Sequence, residues 1–568
     1  MPQVLWAISI TNYSMINRKL FATISICLMA VTTSLAGHRT EREMLSVAQR
    51  QLASHAMARG IQPEYAKIEK LLDANQYCIF GNQDAGFVVV SRNDNYPAVI
   101  GYSTTTFNEN DIPCGMKWWL EAVDQTMKLN APMDNRVQAA HSVVAPLITT
   151  EWGQGDPYNF LTPELNGKHT PTGCVATAMS QLMKFYNYPA QGKGKGFYTL
   201  SENTSLHIPV DITSTYAWDE MQDVYRNKKL TDEQRLPVAQ LMSDAGIATY
   251  MNYGTSGSGA FSLDATRGFV DNFSFNADAI RCYHHQFFSD EEWLTLLYGE
   301  LASGNPILYC GSDKAQGGHA FVIDGIDADG LVHVNWGWDG DCNGFYNIND
   351  LSPVDQRGNN QGHFVSTQSM VFGLRARIER KNDEHMESIW CTPNESYSVV
   401  GGKKRITIDL PITYNYHFLQ YTGTLFLVLQ NIDEPLAEKQ VFAIGQSNSY
   451  ATYYGYSSTQ MFLTTKLQAG NYHAYVASKA DFDQDYQPIR CLGGAICYTV
   501  TTDAEGNNII SGPQALEEPT AIQQMNLDIS TANASPRYFD FQGREVPSTT
   551  KGLLIRRQGD EVKKVMMK

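Results

Sequence analysis

The stretch Thr170-Pro171-Thr172-Gly173-Cys174-Val175-Ala176-Thr177-Ala178-Met179 constrains this chain more than any other. Pro and Gly end an incoming loop. Val175, Ala178, Met179, Leu182 and Met183 then recur at the i, i+3, i+4, i+7, i+8 spacing of an amphipathic helix. Tyr188-Pro189 closes that helix after about Tyr186. Cys174 is therefore expected at a helix N-terminus, where free N–H groups and the positive end of the dipole favour an anion. A thiol there should lose its proton more easily, and the thiolate is the nucleophile. A small, inert, buried Cys fits the same place, so the case for chemistry depends on finding a base.

Of the 13 His, five (His169, His207, His284, His285 and His333) have no distinctive surroundings and read as surface or strand residues. His319 differs. It lies in Gly317-Gly318-His319-Ala320-Phe321-Val322-Ile323-Asp324-Gly325, where two glycines allow close approach and the apolar run predicts a buried strand. A second strand, Leu331-Val332-His333-Val334, leads into Asn335-Trp336-Gly337-Trp338. The spacing fits a hairpin that brings Asn335 back beside His319. An Asn carbonyl there accepts from one ring N–H and leaves the other nitrogen for Cys174, the logic of a Cys-His-Asn triad. Trp336 and Trp338 are placed to cover that hydrogen bond from water.

These three segments closely resemble the motifs of streptopain-type cysteine peptidases. These are secreted, papain-like bacterial enzymes, and the likeness is to the interpain/periodontain kind with extra C-terminal domains. Trp152-Gly153-Gln154-Gly155-Asp156-Pro157-Tyr158-Asn159, Tyr253-Gly254-Thr255-Ser256-Gly257-Ser258-Gly259 and residues 341–351 match as well, so the resemblance covers about 145–376. It implies that Gln154 donates to the oxyanion, which suits a Gln amide beside the Cys174 N–H. It implies that Trp336 packs against the catalytic His, and that the loop holding Gly257 and Ser258 lines the substrate cleft with Gly318 and Trp338. It also implies an N-terminal prodomain that blocks the cleft until proteolysis, carried here by 86–103. Cys342, in the loop after the tryptophans, departs from the pattern. It reads as an inert loop thiol, with pairing to Cys310 as the other option.

The fold class expected is α+β, and 568 residues call for several domains. Arg18-Lys19, an apolar run over 20–31 and Ser34-Leu35-Ala36 make residues 1–36 a secretory signal peptide, with Met15 a candidate start. Residues 37–137 form the prodomain, joined by a small-residue linker over 130–144, and 138–376 form the catalytic domain. After a charged linker, short alternating runs between 404 and 500 predict an Ig-like β-sandwich over 386–501. Residues 502–530 read as a polar linker. Residues 531–568 resemble the sorting module of type IX secretion cargo, with a terminal hairpin of the sandwich as the competing assignment.

The net charge of −16 argues against nucleic acid as a partner. No CxxC…HxxxH spacing is present, so neither a metal nor another cofactor is expected. Cys391, Cys491 and Cys497 are candidates for a disulfide. No segment beyond the leader is long and apolar enough to span a bilayer. The expected partners are protein or peptide substrates and the chain's own prodomain. The leading assignment is a secreted cysteine endopeptidase made as a zymogen. An inactive papain-like binding protein, and an amidase or acyltransferase on the same triad, stand beside it.

Overall fold

The computed structural model describes residues 37–58, 67–128, 141–313, 317–348, 367–376, 385–434, 437–464, 467–516 and, as backbone, the strands between 537 and 567. The leader, most of the linker at 130–144, the charged linker at 377–384 and the turn Gln542-Gly543-Arg544 lie outside the described residues.

Helix α1 (Glu41–Ala58) precedes strands β1 (Glu69–Asp73), β2 (Tyr77–Asn82), β3 (Gly86–Ser91) and β4 (Val99–Ser103), which lead into α2 (Cys114–Lys128). The runs in β2 and β3 are apolar at almost every position because both faces are covered. Alternate residues face opposite sides of a strand. Cys78, Phe80, Val88 and Val90 pack on Met44, Ala48 and Leu52 of α1. Ile79, Phe87 and Val89 pack with Trp118, Trp119 and Val123 of α2.

The next segment holds α3 (Cys174–Tyr186), α4 (Asp232–Ala248), α5 (Ser262–Asp271) and α6 (Asp290–Ala302). Its strands are β5 (Arg281–His284), β6 (Ile307–Asp313), β7 (Gly317–Ile326), β8 (Val332–Asn335), β9 (Gly344–Tyr346) and β10 (Thr367–Phe372). One ten-stranded sheet runs β1-β2-β3-β4-β9-β8-β7-β6-β10-β5. The N-terminal strands thus extend the catalytic sheet, and the junction is antiparallel pairing of Gly344 with Ser103, Phe345 with Tyr102 and Tyr346 with Gly101. Helix α3 covers one face of β6 and β7 through Val322, Ala320 and Leu308. Helix α2 covers the other through Phe321 and Tyr309.

Residues beyond 385 form two facing sheets around Trp390, Ile406, Ile408, Leu425, Leu427, Val476 and Val500. The linker expected over 502–530 is corrected in its first part. Asn508–Ala515 is a strand paired with Gly494–Thr502, and its exposed edge position explains the weak apolar pattern. The cysteines at 391, 491 and 497 are free, as are all nine among the described residues. The far C-terminal strands, Arg537–Phe539, Glu545–Val546, Gly552–Gln558 and Glu561–Met567, make a four-stranded sheet of their own and do not pair with the sandwich among the described residues.

Candidate active site

Cys174 is the first residue of α3, as the spacing predicts. Gly173 before it has φ +88°, and an added Cβ would lie 2.7 Å from Met251 Sδ and 3.1 Å from the Ser258 carbonyl oxygen. Only glycine fits there, by conformation and by space. The backbone N–H of Ala320 is near enough to the Cys174 thiol to favour its anion, so the helix start meets β7 one residue beyond His319. His319 is half-buried, and Gly318 beside it is exposed.

The thiol is not activated as the helix dipole alone suggested. Burial pushes its pKa up and outweighs the Ala320, Val175 and Cys174 backbone N–H groups, which pull it down. Two other thiols lie within electrostatic range of Cys174. Cys310 is held well above the ordinary value, and Cys114 is pushed up to about 12, in both cases by burial first and by Cys174 second. Cys310 lies opposite Ala320 on β6. Cys342 is buried instead on the face of the sheet that α2 covers, and its N–H donates to Thr105 Oγ1.

Asn335 ends β8 opposite Val322, three residues along β7 from His319. Its Nδ2 donates to the Thr150 carbonyl at 2.7 Å, and its Oδ1 accepts from Gln181 Nε2 at 3.2 Å and from the Gly337 N–H at 3.0 Å. Trp336 is buried, with Nε1 donating to the Cys342 carbonyl at 3.0 Å and its ring 4.8 Å from that of Phe321. Trp338 is half-buried at the same turn.

Gln154 is tied to the helix start, since its carbonyl accepts from the Thr172 N–H at 3.1 Å. Thr177 Oγ1 also donates to the Gly153 carbonyl, and Tyr158 donates to Asp339, on which Gly153 rests. Ser258 Oγ donates to the Pro171 carbonyl at 2.7 Å, while Gly257 stands in open space. The loop that holds them therefore borders the segment leading to Cys174. Gln154 and Ser258 thus border the segment that leads into Cys174, Gly318 and His319 lie on β7, and Asn335 and Trp336 stand at the end of the neighbouring strand β8.

The N-terminal unit covers this place. Gly115 of α2 lies so close to Trp336 that an added Cβ would be 2.8 Å from the ring, and 3.4 Å from Phe321. Trp118 packs on Gly311, the β6 residue opposite His319. Trp119 Nε1 donates to the Asn347 carbonyl at 2.6 Å, and Tyr102 to Asp327 at 2.9 Å.

Sequence reasoning missed Gln181 and Thr150. Gln181 is fully buried. The available signal was a polar residue two helical turns after Cys174, on the apolar side of α3. It also misplaced His285, whereas His333 lies on β8, one of the two places read for it. His285 is buried and pairs with Asp290 at 2.9 Å, and His333 pairs with the fully buried Asp324 at 2.5 Å.

A thiol at a helix start, an imidazole strand beside it and a covering N-terminal unit define a cysteine-type peptidase with an inhibitor-like prodomain. The model of the Peptidase C10 family matches residues 152–346, and that of the Spi protease inhibitor matches 39–127. Streptopain of Streptococcus pyogenes is 33% identical over 330 residues, covering 54% of this chain and 82% of its own. The chain therefore belongs to the peptidase C10 family, of the streptopain/interpain type. The thiol protease/hemagglutinin PrtT of Porphyromonas gingivalis is 28% identical over 390 residues, 63% of this chain and 44% of its own. A prointerpain A fragment of Prevotella intermedia is 35% identical, with a TM-score of 0.48, over 54% of this chain and 98% of the fragment.

Proposed function

We propose that this peptidase is a secreted endopeptidase made as a zymogen, with Cys174 as nucleophile. Its thiolate attacks the scissile carbonyl of a protein substrate. His319 takes the thiol proton and later gives it to the leaving amine. Asn335 orients the imidazole and Trp336 shields it. The Gln154 amide and the Cys174 N–H stabilise the oxyanion. Gly257, Ser258, Gly318 and Trp338 line the substrate cleft, and no metal or cofactor takes part.

Residues 37–137 act as the inhibitor in this account and are released by a cut in the linker before Val144. That limit is set by Val144, which exchanges backbone hydrogen bonds of 2.9 and 2.8 Å with Ile326. Residues 386–515 stay with the catalytic domain. Residues 531–568 serve sorting, and residues 1–36 direct export.

The observation that supports the proposal is the position of Cys174 at the start of α3, packed on β7, the strand that carries His319. Replacing Cys174 by Ala tests it. Peptide hydrolysis and self-processing should vanish while the chain folds. Substantial hydrolysis by Cys174→Ala would refute the assignment. An inactive binding protein would instead show no hydrolysis after prodomain removal.

A further inference from the structure

The sandwich meets the catalytic domain through the segment Tyr416-His417-Phe418. The Tyr416 ring lies 5.4 Å from that of His284 on β5 and 4.8 Å from that of Phe287. Phe418 joins the catalytic core cluster. His417 stands between them, 5% exposed, with its ring 4.6 Å from that of Phe418 and 5.2 Å from that of Phe482. Its Nδ1 accepts from the Leu419 N–H at 3.1 Å. A backbone N–H can only donate, so the neutral ring carries its proton on Nε2. That nitrogen is buried with no hydrogen-bond partner among the described residues, and so is His284 Nε2.

A second proton on His417 has one place to go, Nδ1, where it meets the Leu419 N–H. The imidazolium would lose its bond, bury a charge and face Arg281 of β5, which donates to the carbonyls of Asp278 and Ile280. Among the described residues no carboxylate is a partner of either imidazole. Beside Phe482, Asp483 is held by Ser388 and the Ala480 N–H, and Asp481 is exposed. Across the seam, Asp290 is held by His285, Glu292 by Arg490 and Asp264 by Arg267. Burial first and Arg281 second push the His417 pKa down to about 3, and burial pushes that of His284 down to about 4.

We propose that the seam between the sandwich and the catalytic domain is an acid-sensitive latch: protonation of His417 and His284 withdraws segment 416–418 and undocks the sandwich. Withdrawal brings water to both rings and separates His417 from Arg281. The docked form holds both imidazoles below the free value of about 6.5. Docking is therefore complete above that value and weakens as pH falls from it towards the docked values. At about pH 4 each imidazole should weaken docking on the order of 10²-fold relative to neutral pH. None of this depends on the roles given to Cys174 and His319.

Hydrogen exchange of the full chain tests it, with Cys174→Ala present to keep the chain uncut. Protection of the amides at 416–419, corrected for the intrinsic effect of pH, reports the opening equilibrium. Between about pH 7 and about pH 4 it should fall at least about 10²-fold, while the central sandwich strand Tyr421–Asn431 keeps more of its protection. His417→Asn retains an acceptor for the Leu419 N–H and cannot be protonated, so the fall should shrink at least about 10-fold. Adding His284→Phe should remove most of the remainder. Unchanged protection of the wild-type segment at low pH would overturn the proposal, as would an undiminished fall in His417→Asn. An equal fall across Tyr421–Asn431 would mean general acid unfolding and overturn it too, and that comparison needs no variant to fold.

Discussion

Two modules are docked on the catalytic sheet, and they are held in different ways. The N-terminal module has a small core of its own around Met44, Ala48, Phe80 and Val88. Its larger apolar face, with Trp118, Trp119 and Ile79, belongs to one cluster with Phe321, Trp336 and Tyr346 of the catalytic domain. The C-terminal sandwich closes a full core around Trp390 and Leu427. It reaches the catalytic domain through Ile389, Cys391 and Tyr416, which join the same cluster as Phe321, and through polar groups. Arg490 meets Glu292 at 3.3 Å and lies 3.9 Å from the Phe288 ring, the Gly493 N–H donates to the Gln286 carbonyl, and Phe418 joins the catalytic domain's core cluster. A module that borrows its core depends on its host and covers the host's working face. A module with its own core can brace the host from outside that face. The first suits a removable inhibitor and the second a permanent part.

The largest effect expected is functional. Cleavage between the prodomain and Val144 should raise peptidase activity from near zero to its full value, whereas loss of residues after 385 should lower stability more than kcat. Assays of both truncated forms, normalised by Cys174 titration, check this. Full activity of the uncut chain would break the comparison.

Within the catalytic centre, Gln154→Ala should lower kcat about 10²–10³-fold with KM little changed, as for the loss of one oxyanion donor. A rise in KM at constant kcat would make Gln154 a binding residue.

Gly344 sharpens the contrast between the modules. An added Cβ would sit 2.2 Å from the Tyr102 carbonyl oxygen and meets only prodomain atoms at close range. Gly344→Val should therefore weaken prodomain docking and raise activity of the uncut chain, while the processed enzyme keeps its kcat and melting temperature. On the other side, Phe418→Ala should destabilise the processed enzyme by about 3–5 kcal/mol, the usual range for a buried Phe. Denaturant unfolding monitored by loss of Cys174 reactivity reads this. Arg490→Ala should cost less, about 1–3 kcal/mol, for its charged hydrogen bonds.

The protein's division into a helix-start nucleophile and a strand-borne imidazole was legible because both depend on local patterns. The 3.6-residue stripe from Val175 to Met183 and the apolar run after His319 each specify their element. The longer sandwich strands were legible for the same reason, but Ser398–Gly402, the two- and three-residue strands and Asn508–Ala515 were not; at Asn508–Ala515 an exposed edge leaves no alternation to read. The raised pKa of Cys174 was not legible. It comes from burial by distant segments, which no local pattern records. Nor was the register of β8. A β-bulge between Ile323 and Gly325 sets Asn335 opposite Val322, and spacing alone cannot place a bulge. Gln181 was hidden because its three partners lie far away in sequence.

The smallest effect concerns pH. Burial lifts the Cys174 thiol above its ordinary range in the precursor, so the reactive thiolate grows only as pH rises. Removing α2 and Cys114 from its neighbourhood should reduce that burial. The pH profile of Cys174 alkylation should then move to lower pH in the processed enzyme.

The account stands most directly on one labelling experiment. The full chain and its processed form are treated with a thiol-reactive epoxide at neutral pH, and the modified residue is mapped by mass spectrometry. The processed form should be labelled once, at Cys174, with loss of activity in proportion, while the uncut chain is labelled far more slowly. Inactivation that follows modification of another thiol, or equal labelling of Cys174 in both forms, would contradict it.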